Sequence, residues 1–272
     1  MHPSTPAPDF LHSTLGRTGT RVFRLGLSAT YRPGERALRE GVDAGMNYLF
    51  WYWTDVQMTR VLRDVLPGRR EQFVVTTGTM FQAPWILRRV LESSLRRLRT
   101  EYVDFFHIFW VGDGKLTLRT LDLLQRFRDE GKIRGVAIST HARRYAAELV
   151  QQGALDLLMM RYNAAHRGAE RDIFPHLPAS QPGVVSYTAT RWTHLLRRPR
   201  GWPESEPIPT ADDCYRFVLS NPHVHVCLTA PRSLKELRQN LGALAQGPLA
   251  DDRLAFLRQF GDAVHAQHPF FL

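Results

Sequence analysis

The 272-residue chain has an ordinary globular composition, 43% hydrophobic and 23% charged, and its length permits one large domain or two small ones. No apolar run reaches the roughly 18–20 residues that a membrane-spanning helix needs, so we expect no membrane association. The formal net charge of +10 would suit an anionic partner. The basic residues are mostly scattered arginines without a nucleic-acid-binding motif, so we expect no nucleic-acid partner.

The N-terminus and the two cysteines carry further expectations. Residues 1–8 are proline-rich and lack the apolar centre of a secretory signal, so a flexible lead-in is predicted over residues 1–12. Cys214 and Cys227 are isolated, without the closely spaced partners of a zinc or iron–sulfur site, and we expect no metal site. Reduced thiols suit a cytoplasmic protein.

Short apolar runs alternate with amphipathic stretches along the chain. The first predicted element is a hairpin around Leu15–Thr20, in which Gly16 and Gly19 supply the turn. Strands are predicted at Val22–Ala29, Tyr48–Trp51, Phe73–Thr77, Val103–Trp110, Ile133–Ser139, Leu155–Tyr162, Gly183–Thr188 and Val224–Leu228. Helices are predicted at Glu35–Ala44, Val56–Leu66, Pro84–Leu98, Leu118–Asp129, Arg143–Gln151, Glu170–Leu177, Ala211–Leu219, Leu234–Leu244 and Asp251–Ala266.

Eight consecutive strand–helix units predict an α/β fold, a single (β/α)8 TIM barrel over residues 13–272 with an N-terminal β-hairpin and an extra C-terminal helix. The nearly continuous apolar strands fit a parallel sheet that is buried on both faces. A doubly wound open sheet is the alternative, but its Gly-x-Gly-x-x-Gly phosphate loop is absent. In a barrel the site lies at the C-terminal ends of the strands. The long connection Arg197–Pro209 is therefore predicted to be a lid or a substrate wall.

Several segments resemble the aldo-keto reductases, in the family's order from Leu15 to Leu244. Leu15–Gly19 resembles the opening hairpin, and Leu25–Leu27 resembles the first strand. The others are Gly45–Phe50, Phe73–Gly78, Tyr102–Trp110, Gly131–Ser139 and Arg161–Asn163. The resemblance implies a barrel that binds NADP(H) in an extended form, without a Rossmann fold, across the ends of strands five to eight.

The resemblance also implies which residues bind the cofactor. Ser139 would bond the nicotinamide carboxamide, Tyr187 would stack beneath the ring, and the segment from Thr188 to Arg191 would cradle the pyrophosphate. Met159 stands where the family usually has a glutamine. The implied cofactor residues are Ser139, Thr140, Asn163, Tyr187, Thr188, Arg191, Arg232, Ser233, Glu236 and Asn240.

The adenosine end of this implied site has a physical rationale of its own. Arg232 and Ser233 directly precede a predicted helix, where free N–H groups and the helix dipole favour a phosphate. Arginine adds a bidentate, charge-assisted contact. Glu236 and Asn240 are four residues apart on one helix face and match the pair that holds the adenine. An ordinary surface helix capped by serine is the alternative.

The family's catalytic positions depart from the usual pattern. Where the resemblance places Asp, Tyr, Lys and His, this chain has Phe50, Asp55, Gly78 and Phe109. In the family a tyrosine donates the proton because a neighbouring lysine lowers its pKa. The third predicted strand contains no lysine, so we do not expect the usual mechanism.

Asp55 and His107 are the candidate replacements for the missing acid. Asp55 stands at the tyrosine position, although it also suits the N-cap of the helix that begins at Val56. His107 lies two residues before Phe109 and so faces the same side of its strand. A barrel-facing histidine could act as an acid or a base, and a packed core histidine is the alternative.

Aromatic residues are concentrated near the predicted strand ends. We expect the run from Phe50 to Trp53, with Phe109, to line the barrel mouth. Within this region, Trp51, Trp53, Trp110 and Trp192 are expected to wall an apolar pocket for a hydrophobic or aromatic small molecule. The leading hypothesis is an atypical NADP(H)-dependent oxidoreductase that acts on a carbonyl-type compound. The alternatives are a non-redox enzyme, such as an isomerase or a dehydratase, and a ligand-binding pseudoenzyme.

Overall fold

The computed structural model describes residues 9–267. Its strands are His12–Thr14 (β1), Arg21–Phe23 (β2), Leu25–Ser28 (β3), Tyr48–Phe50 (β4), Val74–Thr79 (β5), Val103–Val111 (β6), Ile133–Thr140 (β7), Leu157–Arg161 (β8), Gly183–Tyr187 (β9) and Val226–Thr229 (β10). Its helices are Glu35–Asp43 (α1), Val56–Val65 (α2), Pro84–Leu98 (α3), Leu118–Asp129 (α4), Arg143–Gln151 (α5), Ala169–Asp172 (α6), Ala211–Leu219 (α7), Leu234–Ala245 (α8) and Asp251–Gln267 (α9).

Strands β3 to β10 form a closed barrel in chain order, and β10 pairs with β3 to complete it. All neighbouring strands of the barrel are parallel, and a helix follows each strand. The predicted (β/α)8 TIM barrel is therefore confirmed, with the N-terminal hairpin β1–β2 and the extra helix α9. Closure excludes the open doubly wound sheet.

The core has two layers. A large apolar cluster lies between the strands and the surrounding helices, and a smaller one fills the inside of the barrel. Leu15 and Val22 of the hairpin region belong to the inner cluster. Gly16 has a positive φ of 50°, and a Cβ there would collide with the backbone of Pro182 and Gly183 at the start of β9. The hairpin therefore covers the N-terminal end of the barrel, which leaves the C-terminal end open.

The structure corrects two predicted elements. The strand predicted at Val22–Ala29 is divided, because β2 pairs with β1 whereas β3 belongs to the barrel. The guanidinium of Arg24, between the two strands, donates to the carbonyls of Leu219 and Val224. The helix predicted at Glu170–Leu177 is only the short α6 followed by a tight turn at Phe174–His176. Pro175 lacks the N–H that would continue the helix.

The predicted lead-in over residues 1–12 lies largely outside the described residues. Within them, the Asp9 carboxylate accepts hydrogen bonds from the backbone of Leu11 and His12, and β1 begins at His12. In the described part of the chain, no helix is long and apolar enough to cross a membrane. Over the same residues, no group of three or more His, Cys, Asp or Glu side chains could hold a metal ion.

Candidate active site

A cavity of about 530 Å³ opens at the C-terminal end of the barrel. It has an aromatic wall made of Phe50, Tyr52, Phe109 and Trp110, at the ends of β4 and β6. A polar wall made of Ser139, Tyr187, Thr188 and Thr190, at the ends of β7 and β9, also lines it. The other lining residues are Ser28, Thr30, Tyr31, Thr54, Asp55, Met80, Met159, Ala189, Trp192, Tyr215, Leu228 and Ala230.

The aromatic wall is a set of packed rings. The centroids of Phe50 and Phe109 are 5.8 Å apart, and those of Tyr52 and Phe109 are 6.3 Å apart. His107 lies behind Phe109 in a stacked arrangement, with 5.4 Å between the two ring centroids. The two phenylalanines carry no group that can exchange a proton, so this part of the cavity can bind a ligand only by shape and apolar contact.

His107 is fully buried and does not line the cavity. Neither ring nitrogen has a hydrogen-bond partner. Burial lowers the pKa of His107 to about 3, and a backbone interaction with Ile138 that falls short of hydrogen-bond geometry opposes this only in part. The imidazole is therefore neutral, and Phe109 separates it from any ligand. The structure does not bring His107 to the site, which corrects the predicted catalytic role.

Gly78 lies on β5, paired with His107 in the register of the sheet. A Cβ at this position would overlap the backbone carbonyl of His107. Because the overlap is with backbone atoms, no side-chain rotation can relieve it. The backbones of β5 and β6 approach too closely here for any side chain. Gly78 is therefore required by packing, and a lysine could not be accommodated without moving a strand.

Asp55 lines the cavity near the aromatic wall. It occupies the N-cap position of α2, but its side chain caps no helical N–H. Instead, Oδ2 accepts a hydrogen bond from the backbone N–H of Tyr52 at 3.2 Å. Burial raises the pKa of the Asp55 carboxyl, whereas the Tyr52 N–H and the charge of Arg32 lower it by less. Of the two predicted acids, the structure places only Asp55 at the cavity.

The polar wall presents hydroxyl groups to the cavity. Ser139 Oγ accepts a hydrogen bond from the N–H of Trp110 at 3.1 Å, which fixes the hydroxyl at the end of β7. The ring of Tyr187 lies on the same side, and its hydroxyl is 3.4 Å from His141 Nε2. Burial raises the pKa of Tyr187 to about 12, although Arg161 lowers it in part. Tyr187 is therefore a neutral hydrogen-bonding group at neutral pH.

Seven of the ten predicted cofactor residues do not line this cavity, and three of the seven are buried near the ends of β7, β8 and β9. Thr140 is buried, and its hydroxyl donates to the Val111 carbonyl. Asn163 is also buried, and its amide donates to the Thr188 carbonyl. Arg191 is fully buried, and its guanidinium donates to the Val264 carbonyl of α9. Asn163 and Arg191 thereby hold the turn after β9 in place, and Thr140 joins β7 to the end of β6, because buried polar groups must find partners.

The residues predicted for the adenosine end cluster at the start of α8. Ser233 caps the helix by accepting from the N–H of Glu236, whose carboxylate accepts from the N–H of Arg232. The Arg232 guanidinium lies 4.9 Å from the ring centroid of Tyr31, which lines the cavity. Asn240 differs from expectation, because its buried amide donates to Thr229 Oγ1 at 2.9 Å and so points toward β10, between the sheet and the helices.

Two of the four predicted pocket tryptophans do not line the cavity. Trp51 is fully buried, and its indole N–H donates to Thr59 Oγ1 on α2 at 2.8 Å. Trp53 is 55% exposed and packs on Tyr52 outside the cavity. Adjacent strand residues face opposite sides, so Trp51 must point to the helices when Phe50 faces the barrel. Trp110 and Trp192 do line the cavity.

Tyr52, expected at the barrel mouth with the rest of its aromatic run, does line the cavity. Met80 and Tyr215 also line it and were missed by sequence reasoning. Tyr215 comes from α7, and no local pattern points to it. The predicted lid Arg197–Pro209 contributes no lining residue, because Trp202 packs edge-on against Phe260 of α9 with the ring centroids 4.9 Å apart.

A barrel with a cavity at its C-terminal end defines an enzyme-type α/β fold, and the comparisons with known proteins specify which family it belongs to. The family model described as "Aldo/keto reductase family" matches residues 56–200, more than half of the chain. The protein therefore belongs to the aldo/keto reductase family, as the sequence motifs predicted.

Individual relatives are distant. The chain is 27% identical to methylglyoxal reductase YeaE of Escherichia coli over 197 residues, which cover 68% of this chain and 67% of that protein. The holo form of aldo-keto reductase AKR11C1 from Bacillus halodurans has a TM-score of 0.77 at 22% identity, covering 93% and 96% of the two chains. An aldo/keto reductase from Klebsiella pneumoniae, in complex with NADP and acetate, has a TM-score of 0.71 at 22% identity, covering 92% and 95%.

Proposed function

We propose that this protein is an atypical NADP(H)-dependent oxidoreductase that acts on a hydrophobic or aromatic carbonyl compound. One observation carries the proposal. The hydroxyl-bearing polar wall and the apolar aromatic wall line one cavity, and Asp55 lies in the same cavity. Such a cavity can hold a polar ring system on one side and an apolar substrate on the other.

The nicotinamide end of the proposed cofactor site fits the residues present. The oxygen of Ser139 already accepts from Trp110, so its hydroxyl proton remains to donate to a carboxamide oxygen. The half-buried ring of Tyr187 offers a flat surface beside it. The NADP-bound Klebsiella structure, which shares the fold, supports the same cofactor here. When bound, NADPH would supply a hydride to the carbonyl carbon.

The adenosine end fits in part. Arg232 is exposed beside the N-terminus of α8 and could pair with a phosphate. Ser233 and Glu236 are within reach, although both already serve the helix N-terminus. Asn240 does not fit, because its buried amide already donates to Thr229 Oγ1 on β10. We therefore propose that Arg232 carries the phosphate contact and that adenine recognition is weaker than in a site with a free asparagine.

We assign the proton to Asp55. It is the sole carboxyl group among the cavity-lining residues in the described chain, and burial raises its pKa. A protonated Asp55 would deliver its proton to the carbonyl oxygen as negative charge develops there. Phe50, Gly78 and Phe109 cannot take this part, so the usual four-residue arrangement of the family is proposed to be absent. The buried free thiols of Cys214 and Cys227 support a cytoplasmic location.

Fluorescence titration of the purified protein with NADPH tests the cofactor step. We expect saturable binding in the micromolar range, weakened about tenfold by Ser139→Ala because a carboxamide contact is lost. Ser93→Ala, on the exposed side of α3, is the matched control and leaves binding unchanged. Absence of saturable binding at high micromolar NADPH would falsify the proposal.

A second candidate function is favoured by the three positions that cannot titrate, Phe50, Gly78 and Phe109. The barrel would then be a cofactor-independent enzyme, such as an isomerase or dehydratase, or a ligand-binding pseudoenzyme. Consumption of NADPH in the presence of an aromatic aldehyde, followed by the absorbance of the cofactor, supports the oxidoreductase. Turnover of a candidate substrate by protein stripped of cofactor favours the isomerase or dehydratase. A ligand retained in native mass spectrometry, with no turnover, favours the binding protein.

A further inference from the structure

A second cavity, of about 500 Å³, lies beside the first and shares two strands with it. Ser139 and Met159 line the first cavity, whereas their neighbours Thr140 and Met160 line the second. Adjacent residues of a strand face opposite sides, so the second cavity lies between the ends of β7 and β8 and the outer helices. It belongs neither to the barrel interior nor to the start of α8.

The lining of this second cavity is strongly cationic. Two carboxylates reach it, and both are already engaged: Asp262 pairs with Arg167 at 2.7 Å, and Glu170 pairs with Arg258 at 2.7 Å. The lining arginines and histidines are Arg143, Arg161, Arg167, Arg171, His141, His166 and His265. Positive charge therefore exceeds negative charge among the lining residues, in a volume typical of small-molecule sites.

His166 reports the electrostatic potential in this cavity. Its Nε2 is buried without a hydrogen-bond partner among the described residues, and its Nδ1 lies 3.4 Å from Asn163 Oδ1. Burial, together with the charges of Arg161, Arg191, His265 and Arg143, lowers the pKa of His166 to about 3. Burial disfavours any charge, whereas the part of the shift that comes from the neighbouring positive groups indicates a positive potential, which favours an anion.

We propose that this cavity binds a small dianion, namely the phosphate or dicarboxylate group of a metabolite, held by Arg143 and Arg161 beside His166. Arginine forks match both groups, because two parallel N–H donors meet two anionic oxygens. Arg143 gives one nitrogen, Nε, to Asp172 at 2.7 Å, so its terminal nitrogens can reach a ligand. Residues of α6 and α9 line the same cavity, so a ligand there would also contact the two helices.

Isothermal titration calorimetry of the full chain with inorganic phosphate, and separately with succinate, tests the site. Chloride keeps the ionic strength constant, because general screening would otherwise mimic a loss of binding. We expect one saturable site with a dissociation constant below about 1 mM for at least one probe. Arg161→Gln should weaken it at least about tenfold, the loss typical of one charge-assisted contact.

Two control variants separate this site from other anion sites. Arg232→Gln removes the proposed cofactor-phosphate contact, and Arg89→Gln removes an exposed arginine on α3. Neither should change the dissociation constant. Loss of binding in Arg232→Gln alone would assign the anion to the cofactor site and overturn the proposal. Equal weakening in Arg161→Gln and Arg89→Gln would mean a diffuse charge effect and would also overturn it, as would no saturable binding.

A further variant covers the case in which Arg161→Gln does not fold. His265 is exposed at the rim of the cavity on α9, so His265→Glu adds a negative charge without disturbing the core. Binding should weaken at least several-fold by like-charge repulsion. Gln259→Glu adds the same charge to an exposed position of α9 away from the cavity and should leave binding unchanged. Equal effects of the two would overturn the proposal.

Discussion

The two walls of the barrel cavity differ in chemistry although one sheet builds both. The aromatic wall, from the ends of β4 and β6, is packed with rings, of which Phe50 and Phe109 cannot exchange protons, and Gly78 on β5 admits no side chain. The polar wall, from β7 and β9, keeps hydroxyl groups on fixed backbone positions. Each strand end of a barrel contributes its own residues to the site. Substitutions in the aromatic wall can therefore occur while the polar wall keeps its hydroxyl groups.

The largest expected effect concerns the closeness of β5 and β6 behind the aromatic wall. Gly78→Ala should lower the free energy of unfolding by about 3 kcal/mol or more, because the new Cβ overlaps the His107 carbonyl. Urea denaturation measures it. Gly242→Ala, within α8 and with open space around it, is the matched control and should be neutral or stabilising. A Gly78→Ala protein as stable as the parent would mean that this wall could have carried a lysine.

Asp55 is the carboxyl group that lies beside the aromatic wall. If it is the acid, Asp55→Asn should lower kcat about 100-fold while leaving the cofactor dissociation constant unchanged. Since the protonated carboxyl is the active form, kcat should also fall as pH rises through the raised pKa of Asp55. Steady-state kinetics across pH measure both effects. Asp64→Asn, exposed on the same helix, is the control, and equal rates for the two variants would remove Asp55 from the mechanism.

The third prediction tests which aromatic residues belong to the wall. Trp51→Phe should lower the free energy of unfolding by about 2 kcal/mol, because it removes buried surface and leaves Thr59 without its indole donor. Trp53→Phe, at a 55% exposed position, should change it by less than about 0.5 kcal/mol. Thermal or urea unfolding compares the two. The opposite ranking would place Trp51 at the cavity after all.

The smallest expected effect is a change in the pH dependence of stability. The pKa of His107 is about 3 in the folded protein against 6.5 for an ordinary histidine, so the unfolded chain binds the extra proton. The contribution of the neutral His107 to the free energy of unfolding is therefore complete above pH 6.5. It is lost as the pH falls toward 3, at up to about 1.4 kcal/mol per pH unit.

His107→Phe should remove this share of the slope and leave the shares of His166 and His225, whose pKa values burial lowers to about 3 and about 4. Urea denaturation at several pH values between 4 and 7 would reveal it. His176→Gln, at an exposed position, serves as the control. If the free energy of unfolding of His107→Phe depends on pH as it does in the parent protein, His107 can be protonated in the folded state and the prediction is wrong.

The predicted elements were accurate where the signal is local. Seven of the eight predicted barrel helices and all of the barrel strands were identified, although Val22–Ala29 proved to be two strands and Glu170–Leu177 a short helix and a turn. Both errors come from features that periodicity does not register, namely the anchoring of Arg24 and the missing N–H of Pro175.

The site was predicted less completely, and the reason lies in orientation. Ser139, Tyr187, Thr188 and Asp55 were identified and do line the cavity. Thr140, Asn163, Arg191, Asn240, His107, Trp51 and Trp53 were also predicted and do not. Most of these stand one residue away from a lining position or hold polar contacts inside the fold. A one-residue difference moves a strand side chain to the opposite face, and family motifs do not record it.

The order of strand–helix units, and with it the barrel, followed from the amino-acid sequence alone, because hydrophobic periodicity and turn residues act over a few neighbouring positions. The family followed from the resemblance of several sequence motifs in the right order. Only the tertiary structure decided that Tyr52 and Asp55 face the cavity while Trp51 and His107 do not. It alone also formed the cationic second cavity, where Arg167 meets Asp262 across 95 residues of chain. Contacts between such distant residues depend on how the whole barrel closes, which no local pattern encodes.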